Sequence, residues 1–521
     1  MPTLNWIGKE QVVNHDKEVP FRLLKKVKSL SVGENSQNLI IHGDNLEALK
    51  ALMPYYYGKI KCIYIDPPYN TGNEGWVYND NVNSPKIKKW LGKVVGGESE
   101  DLCRHDKWLC MMFPRLKLLR ELLRDDGVIF ISIDDVEYEN LKYLLNEIFG
   151  LENYINTLVW RKKAGGGNDN KYFAVEHEYI LCFAKNKNLQ PRFLTKLNEK
   201  TVKDYKLKDE NFEKWGYYKL KNLYEPGIDQ NRPNLIYPIK APDGSLIDIS
   251  PGIWRWSKER FEKEKSRGKV EFKKDKKSGT WKVFYKLYLY EDGEDRKTAP
   301  RSILMDYGMN AQAAQAIKEL FDEKIFNYPK PVNMIKHLIE IITSSDSIIL
   351  DSFAGSGTTG HAVMELNKVD KSNRKFILIE LEDKVAKDVT AERVKRAIKK
   401  YNYEEDFEFC ELDKPLFNED GKIDENCEFE QLATYIYFTE TQTNLDKRQI
   451  KGNFISNLNE TDYYLIFKEK GKNVLNKSFL KNIKKDDNRR VIYADKCLLD
   501  EESLEKHKIQ FKQIPYEVRI Y

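Results

Sequence analysis

The hydrophobic residues of this chain fall into two recurring patterns. Short, largely apolar runs, typical of buried strands, alternate with stretches in which apolar residues recur every three or four positions, typical of helices that bury one face. This alternation indicates an α/β fold with a mostly parallel sheet. The predicted strands are 38–41, 60–65, 128–133, 347–350 and 376–379, and the predicted helices are 45–53, 108–123, 138–149, 331–342, 358–366 and 382–401.

The alternation stops in the middle of the chain. Between residues 158 and 310 there are a glycine cluster at 165–167, turn signals such as Pro242-Asp243-Gly244, and many aromatic residues among lysines. We therefore predict that this block is inserted into one α/β domain. The predicted segments are the first part of that domain, 1–157, the insert, 158–310, the second part, 311–403, a linker, 404–430, and a small C-terminal α+β domain, 431–521, with strand-like runs at 463–467 and 490–494.

Charge is distributed unevenly along the chain. The net charge is only +5, but residues 161–300 carry 32 Lys and Arg against 21 Asp and Glu. The linker 404–430, in contrast, holds twelve acidic residues and only two lysines. This layout favours a middle region that binds a polyanion and an acidic, solvated linker. A solvated basic face that binds nothing is the alternative, and charge alone does not exclude it.

The composition argues against a membrane protein and against a disulfide or metal framework. No apolar run approaches the ~20 residues that span a bilayer, and residues 1–13 lack the apolar core of a signal peptide. The seven cysteines are scattered, without a C-x-x-C pair. We therefore expect a protein of the reducing cytoplasm, with neither a structural metal nor disulfides.

Polar residues follow four of the predicted strands at the point where each strand ends. These clusters are residues 42–45, 66–70 and 351–357, and Glu380. In open parallel sheets, ligands bind beyond the carboxyl ends of the strands, near the point where the strand order reverses. We therefore expect the four clusters to line a single pocket.

The third cluster opens a glycine loop. Residues 355–360 follow the pattern G-x-G-x-x-G, and Glu380 lies twenty residues past Gly360. The glycines allow the backbone to approach a ligand closely, and the acid can accept hydrogen bonds from ribose hydroxyls. This suits any adenosine-containing cofactor, and a merely structural turn is the alternative. Asp351 and the pair Phe353-Ala354 favour a cofactor with an ammonium group and a methionine chain.

The segment Asp66-Pro67-Pro68-Tyr69 is more discriminating. Two consecutive prolines fix the backbone and remove two N–H donors, which leaves carbonyls available as acceptors. An aromatic amine is a poor nucleophile because its lone pair is delocalised into the ring. The Asp66 carboxylate and the Pro67 carbonyl could each accept one N–H of such an amine and direct its lone pair at a methyl donor, with Tyr69 stacked on the extruded base. A rigid turn that ends a strand is the alternative.

These motifs resemble those of the amino-DNA methyltransferases in their β-type order, in which D-P-P-Y comes first, then the target-recognition region, then F-x-G-x-G. Here the order is 66–69, the insert, and 353–357. The resemblance is closest to the modification (Mod) subunits of type III restriction–modification systems, and it extends from Asn5 to about residue 400. It implies an adenine-specific DNA methyltransferase with the Rossmann-like fold of enzymes that use S-adenosyl-L-methionine.

The resemblance also implies roles for single residues. It assigns catalysis to Asp66, Pro67, Pro68 and Tyr69, and Asp at the first position favours N6 of adenine over N4 of cytosine. The cofactor-binding residues that it implies are Asp44, Asn45, Lys330, Pro331, Asp351, Phe353, Ala354, Gly355, Ser356, Gly357, Thr358 and Glu380.

The basic insert is then the expected target-recognition domain for double-stranded DNA. Arg161, Lys162 and Lys163, beside the glycine cluster, and Asn70 are expected to contact DNA, while most Trp and Tyr residues of the insert form a small core. The resemblance also implies a homodimer and a restriction subunit that supplies helicase and nuclease. The C-terminal domain is expected to make dimer or partner contacts.

Three other functions remain open on the sequence. They are an N4-cytosine methyltransferase, a DNA-binding specificity subunit with vestigial catalysis, and a nicotinamide-dependent oxidoreductase built on the glycine loop. The intact Asp66 and glycine loop argue against vestigial catalysis. An oxidoreductase leaves the proline pair and the basic insert unexplained.

Overall fold

The computed structural model divides the chain into two compact units, Met1–Pro191 with Arg301–Tyr521, and Arg192–Pro300. The larger unit holds every residue of the predicted catalytic and cofactor sites. The structure describes residues 3–34, 36–71, 104–165, 171–227, 232–247, 249, 251–291, 293–417, 423, 427–468, 473–484 and 486–514.

Ten strands form one sheet in the larger unit, and they contribute most of its core. In chain order they are β1 (Arg22–Lys26), β2 (Leu39–His42), β3 (Ile60–Ile65), β4 (Leu123–Ile133), β5 (Tyr154–Arg161), β6 (His177–Ala184), β7 (Ile303–Leu304), β8 (Ile348–Asp351), β9 (Lys375–Glu380) and β10 (Glu408–Pro415).

The spatial order of these strands is β1-β10-β2-β9-β8-β3-β4-β6-β5-β7. The six central strands from β10 to β4 are parallel to one another, and the pairs β1/β10, β4/β6 and β6/β5 are antiparallel. From β3 the chain continues to β4 on one side, and from β8 it continues to β9 on the other. The order therefore reverses between the neighbours β3 and β8, where a ligand crevice is expected.

The helices cover the sheet and bury apolar faces against it. The helices at 45–56, 104–122 and 138–149 share one core with the inward-facing residues of β2, β3, β4 and β6, and the helix at 332–340 packs on the one at 358–370. Among the described residues, no helix has the length and apolar character needed to cross a membrane. The helices are α1 (Lys9–Val12), α2 (His15–Glu18), α3 (Asn45–Tyr56), α4 (Arg104–Leu122), α5 (Tyr138–Phe149), α6 (Asn310–Phe321), α7 (Val332–Glu340), α8 (Thr358–Asp370), α9 (Glu392–Tyr401), α10 (Phe429–Thr441) and α11 (Glu501–Lys506), with a π-helical turn at Val385–Ala391 before α9.

The α/β fold is confirmed, but the sheet takes in segments that the sequence pattern assigned elsewhere. The insert was expected at 158–310. Strand β6 and the end of β5 lie within that stretch, whereas the compact smaller unit begins only at Arg192. Strand β10 lies within the expected acidic linker. Both β5 and β10 are only partly buried. Strands of this kind mix polar with apolar residues, so they lack the continuous apolar run that identifies a central strand.

The C-terminal residues form a second sheet of four strands, β11 (Phe454–Leu458), β12 (Thr461–Leu465), β13 (Arg489–Ala494) and β14 (Ile509–Gln513), in the order β11-β12-β13-β14. Its core is shared with the N-terminal part of the chain, because Phe21 and Leu23 pack among residues of α10, β12 and β13. This segment is consequently part of the larger compact unit.

The smaller unit is built around aromatic residues. A three-stranded antiparallel sheet, Val270–Lys274, Trp281–Tyr288 and Tyr218–Asn222, packs over a core that contains Trp254 and Phe261. Its remaining elements are the strands Thr195–Lys196, Tyr224–Pro226, Ile239–Lys240, Leu246–Ile247, Gly252–Trp254, Tyr290–Glu291, Glu294–Asp295 and Lys297–Thr298, and the helices Glu199–Val202, Phe212–Trp215 and Lys258–Ser266.

Candidate active site

A cavity of about 740 Å³ lies at the carboxyl ends of β3 and β8, where the strand order reverses. Its walls bring together two of the predicted clusters, the segment that begins at Asp66 and the glycine loop that begins at Phe353. The cavity is in the range typical of cofactor and substrate pockets. The lining residues that the sequence had singled out are Asp66, Pro67, Pro68, Tyr69, Lys162, Lys163, Lys330, Asp351, Phe353, Ala354, Gly355, Ser356 and Thr358.

The segment predicted to be catalytic, residues 66–69, leaves β3 in a fixed conformation. Trp108 of α4 donates its indole N–H to the Pro68 carbonyl at 2.7 Å. Two residues later, Asn70 adopts a left-handed conformation with φ +57°, and its amide donates to Glu137 at 2.5 Å. Asn70 is 3% exposed, so it anchors the turn from within. The Asn70 side chain is thus engaged by Glu137, and its contact with DNA stays a prediction.

The Asp66 carboxylate lies in an ionic network. Lys330 donates to both of its oxygens, at 2.8 and 2.7 Å. The Tyr69 hydroxyl lies 2.8 Å from Asp66 Oδ1 and 3.0 Å from Glu178 Oε2, and it accepts from Lys330 at 2.9 Å. Glu178 is also within 3.4 Å of the Lys330 ammonium and 3.2 Å of the Lys162 ammonium. Lys330, which the resemblance assigned to the cofactor, therefore contacts the catalytic carboxylate directly.

Burial and charge act in opposite directions on these groups. Burial raises the pKa of Asp66, although Lys330 opposes that rise. Burial also disfavours the charged form of Glu178, but Lys330 and Lys162 outweigh it and lower the pKa of that carboxyl. For Lys330, burial is outweighed by Asp66 and then Glu178, which raise its pKa. The ammonium is therefore retained, and it is shared between two carboxylates.

The glycine loop begins at Asp351, the last residue of β8. The Asp351 carboxylate accepts hydrogen bonds from the Phe353 N–H at 3.0 Å and from the Thr359 hydroxyl at 2.5 Å. Burial raises the pKa of Asp351 to about 7. Gly355 and Gly357 have φ angles of +49° and +74°, a conformation that residues with a Cβ atom adopt only at a cost.

Two further side chains hold the same loop. The Glu380 carboxylate, at the end of β9, accepts from the Gly355 N–H at 2.8 Å and from the Glu382 N–H at 3.0 Å. Arg393, 1% exposed, donates to the hydroxyls of Ser356 and Thr358 at 2.8 and 2.6 Å. Glu380 thus touches the cofactor loop, although it is not among the residues that line the cavity.

Four other predicted cofactor residues, Asp44, Asn45, Pro331 and Gly357, are not among those that line the cavity. Asp44 caps α3 by accepting from the Leu46 and Glu47 N–H groups at 2.9 and 3.2 Å. Asn45 donates to the Ser352 carbonyl at 3.1 Å, and the buried Arg115 of α4 contacts both Asp44 and Asn45. Pro331 is the residue before α7. The structure therefore shows Asp44 and Asn45 as supports of the loop rather than as walls of the cavity.

The basic residues expected to contact DNA lie at the end of β5 and at the start of its connection to β6. Lys162 and Lys163 follow β5 and line the cavity, with Lys162 paired to Glu178. Arg161, the last residue of β5, has one guanidinium nitrogen 3.9 Å from the Met309 sulfur. Lys162 is consequently committed to a carboxylate within the site, and Lys163 lines its wall.

Sequence reasoning missed Glu178, Arg115 and Arg393. Each contacts a predicted site residue that is distant in sequence, such as Tyr69 at 109 positions from Glu178. No local spacing reveals such a pair. A chemical signal was available for two of them, because Glu178 precedes the apolar part of β6 and Arg115 lies among apolar residues of α4. Charged side chains at such positions are rarely buried without a partner.

A second cluster could in principle hold a cation. His42, Asp383 and Glu411 lie within 4.8 Å of one another, but the Lys387 ammonium lies 2.6 Å from Asp383 and 2.9 Å from Glu411. Both carboxylates are therefore already paired with one lysine, and the cluster is an ion-pair network.

A family of DNA methylases (N6_N4_Mtase) matches residues 60–392, a range that holds both the Asp66 segment and the glycine loop. The chain belongs to this DNA methylase family. The Mod subunit of the type III restriction-modification enzyme EcoPI, from Escherichia phage P1, is 35% identical over 426 residues, which cover 74% of this chain and 64% of that one. The EcoP15I Mod subunit of Escherichia coli is 32% identical over 478 residues, covering 79% and 71%.

Other relatives of this DNA methylase show the range of the family. The type II methyltransferase M.KpnI of Klebsiella pneumoniae is 30% identical over 386 residues, covering 70% of this chain and 85% of that one. The chain spans less than two thirds of the first two type III relatives, 64% for EcoPI and 55% for StyLTI of Salmonella typhimurium. A solved structure of PvuII DNA methyltransferase (cytosine-N4-specific) covers 70% of this chain at 12% identity with a TM-score of 0.35, a likeness too distant to support further statements.

Proposed function

We propose that this protein is a site-specific DNA methyltransferase that transfers a methyl group from S-adenosyl-L-methionine to the exocyclic amine of a base, N6 of adenine. The observation that carries the proposal is the placement of Asp66 and the glycine loop in one cavity at the reversal of strand order. The segment that positions an amine and the segment that can cradle a cofactor thus face the same space.

The residues of the cavity fit this cofactor. Gly355 exposes backbone in the cavity wall without a side chain, Phe353 and Ala354 provide apolar surface, and Asp351 provides a buried carboxyl. When bound, S-adenosyl-L-methionine supplies a methyl group on a positively charged sulfur, so it is favoured by a wall that carries acidic groups. Glu380 keeps the loop in shape through Gly355, and it is the candidate acceptor for ribose hydroxyls.

The chain's own contribution to the reaction is positioning and electrostatics. The Asp66 carboxylate accepts an N–H of the target amine, and the Pro67 carbonyl, on the same wall, accepts the other. These two acceptors hold the nitrogen lone pair towards the cofactor side of the cavity. The Tyr69 ring, whose hydroxyl is fixed by Asp66 and Glu178, offers its face to a base that has left the duplex.

The smaller unit, Arg192–Pro300, is proposed as the main DNA reader. It carries 26 Lys and Arg against 18 Asp and Glu, and clustered positive charge neutralises phosphates. Trp215, Trp254 and Trp256 are buried in it, which supports a scaffold role for these aromatics. Duplex DNA is therefore the proposed substrate.

We also propose that the protein acts as the modification subunit of a type III-like system, with a restriction subunit as partner and a homodimer as its own assembly. The identity to three Mod subunits supports this role, whereas M.KpnI supports a stand-alone type II enzyme. Sedimentation of the purified chain tests the dimer. Copurification of a helicase–nuclease protein encoded beside it, with ATP-dependent cleavage of unmethylated DNA, tests the type III role.

The activity is tested by the transfer of tritium from labelled S-adenosyl-L-methionine to mixed-sequence duplex DNA. We expect incorporation by the wild type, its loss in Asp66→Ala, and its retention in Asp125→Ala, which removes an exposed aspartate at the far end of β4. Mass spectrometry of the digested DNA then separates N6-methyladenine from N4-methylcytosine. A folded wild-type chain that modifies no duplex, alone or with its partner, would refute the proposal.

A further inference from the structure

Lys330 occupies the position that the target amine needs. Its ammonium lies 2.8 and 2.7 Å from the two oxygens of Asp66, so both acceptors of the catalytic carboxylate are engaged before any base enters. Lys330 is 8% exposed and belongs to the segment before α7, 264 positions from Asp66 in the chain. An amine that binds Asp66 must therefore displace at least one hydrogen bond from this lysine.

A second carboxylate, that of Glu178, lies close enough to bind the displaced ammonium. Glu178 Oε2 lies 3.4 Å from Lys330 Nζ, and the Tyr69 hydroxyl bridges Glu178 and Asp66 at 3.0 and 2.8 Å. A small shift of the lysine side chain would turn this longer contact into a full hydrogen bond. Because Glu178 is 7% exposed, the ammonium would stay paired in a buried setting throughout, which avoids the cost of an unpaired buried charge.

We propose that Lys330 is a positioning residue that holds Asp66 ionised in the resting enzyme and moves onto Glu178 when the target amine arrives. The inference rests on the proposed amine methylation. It assigns Glu178 a specific task, to receive the lysine and so release an oxygen of Asp66 as the acceptor for the amine N–H. It also places Lys330 on the substrate side of the site rather than among the cofactor contacts.

The charges of Asp66 and Glu178 are balanced by those of Lys330 and Lys162. The carboxylates of Asp66 and Glu178 face the ammonium groups of Lys330 and Lys162, so the buried group is close to neutral. Two further acids act on it from neighbouring strand ends, Asp134 after β4 and Asp351 at the end of β8, and burial raises the pKa of Asp134 to about 6. The other titratable groups that face Asp66 are the hydroxyls of Tyr64 and Tyr69.

The role of Lys330 follows from what Asp66 would do without it. Burial favours the protonated form of Asp66, and the neighbouring Glu178 acts in the same direction. A protonated carboxyl has an O–H donor in place of one acceptor, so that oxygen cannot accept the N–H of the target amine. Loss of the ammonium should therefore make activity depend on a higher pH.

The test compares the pH dependence of single-turnover methylation in Lys330→Met, Glu178→Gln and the wild type. In Lys330→Met we expect the acidic limb of the profile to move up by at least one pH unit. A shift of one unit lowers the rate about tenfold at the foot of the wild-type limb, and the rate should recover as the pH is raised through the new limb. In Glu178→Gln we expect the limb to move to lower pH, because a neighbouring negative charge is gone. The plateau of the methylation rate at high pH should fall about tenfold in this variant, since Lys330 remains on Asp66.

Controls separate positioning from folding and from cofactor binding. Lys163→Met removes another positive charge from the same cavity wall and is expected to raise KM for DNA without moving the acidic limb. The Kd for S-adenosyl-L-methionine, measured by calorimetry, should change less than threefold in Lys330→Met and Glu178→Gln. Should Lys330→Met fail to fold, Glu178→Gln and Lys330→Gln carry the same comparison.

The outcomes divide cleanly. An acidic limb that stays in place when Lys330 is replaced, or a Glu178→Gln plateau equal to that of the wild type, would overturn the inference while the methyltransferase assignment stands. A large loss of cofactor affinity with an unmoved limb would return Lys330 to the cofactor. Absence of any methylation by the wild type would instead refute the proposed function.

Discussion

The carboxylate of Glu380 accepts a hydrogen bond from the backbone N–H of Gly355 at 2.8 Å. This contact joins the end of β9 to the glycine loop that follows β8, and the other oxygen of Glu380 accepts from the Glu382 N–H at 3.0 Å. The acid is 1% exposed. It therefore shapes the glycine loop through its own contacts, which adds a structural role to its proposed contact with ribose.

The first prediction concerns this structural role of Glu380. Glu380→Ala should lower the free energy of unfolding of the cofactor-free protein by about 1–3 kcal/mol, because it leaves the Gly355 N–H without its acceptor in a buried loop. Glu380→Gln should lose less, since its amide oxygen still accepts. Urea unfolding measures both, with the exposed Asp388→Ala as control. An unaltered stability of Glu380→Ala would mean that the residue acts on the cofactor alone.

The second prediction is a pH dependence set by Asp351. Burial raises its pKa from 3.8 to about 7, so between these values the folded carboxyl keeps a proton that the unfolded chain releases. Its stabilising contribution is full below pH 4 and is lost as the pH rises towards 7. Asp351→Asn stays neutral, and its amide can serve both the Phe353 N–H and the Thr359 hydroxyl.

We therefore expect the stability of Asp351→Asn relative to wild type to rise by about 4 kcal/mol between pH 4 and pH 8 and then to level off. Urea titrations at a series of pH values provide the measurement. Asp346→Asn, at an exposed position before β8, should show a flat difference. A flat difference for Asp351→Asn as well would place the carboxyl in its ionised form.

The third prediction concerns the buried Arg115. Its guanidinium contacts Asn45 and Asp44, and it donates to the Met111 carbonyl at 2.7 Å. Burial lowers the pKa of Arg115, and Asp44 opposes that shift. Arg115→Met should destabilise the protein by about 2–3 kcal/mol, because buried acceptors lose their donors.

The half-exposed Arg120→Met, one turn further along α4, should cost less than about 0.5 kcal/mol. Thermal unfolding of both variants provides the comparison. Asn45 contacts the Ser352 carbonyl beside the cofactor loop, so Arg115→Met should also weaken cofactor binding, as measured by calorimetry. Equal losses of stability in the two variants would show that the Arg115 contacts are not stabilising.

The fourth prediction separates backbone strain from crowding. Gly357 and Gly165 have similar φ angles, +74° and +70°. A Cβ atom at Gly357 would lie 3.1 Å from the Thr390 carbonyl, whereas one at Gly165 would have no atom of the described residues within 4 Å. Alanine should cost about 1–2 kcal/mol at either position through the left-handed conformation, and more at Gly357. Urea unfolding of the pair gives the difference, and equal costs would show that Thr390 yields without penalty.

The sequence by itself determined the elements of the catalytic core. Ile60–Ile65 and Tyr138–Phe149 have the bounds that their patterns predicted, and most other predicted elements recur with ends shifted by up to five residues. The helix predicted at 382–401 is instead a π-helical turn, Val385–Ala391, followed by α9. Apolar periodicity is a local property, because it reports how much of each element is buried. Chain order then sufficed to place Asp66 and Asp351 at the same edge of a parallel sheet.

Only the tertiary structure decided which side chains meet there. It set Lys330 against Asp66, Glu178 against Tyr69 and Arg115 against Asp44. It also drew β5, β6 and β10 into the sheet. These pairings depend on which strands become neighbours and in what register, and partly buried strands carry too weak a pattern to reveal it. The position of the Asp66 carboxylate could therefore be predicted from the sequence, whereas the partners that control its charge could not.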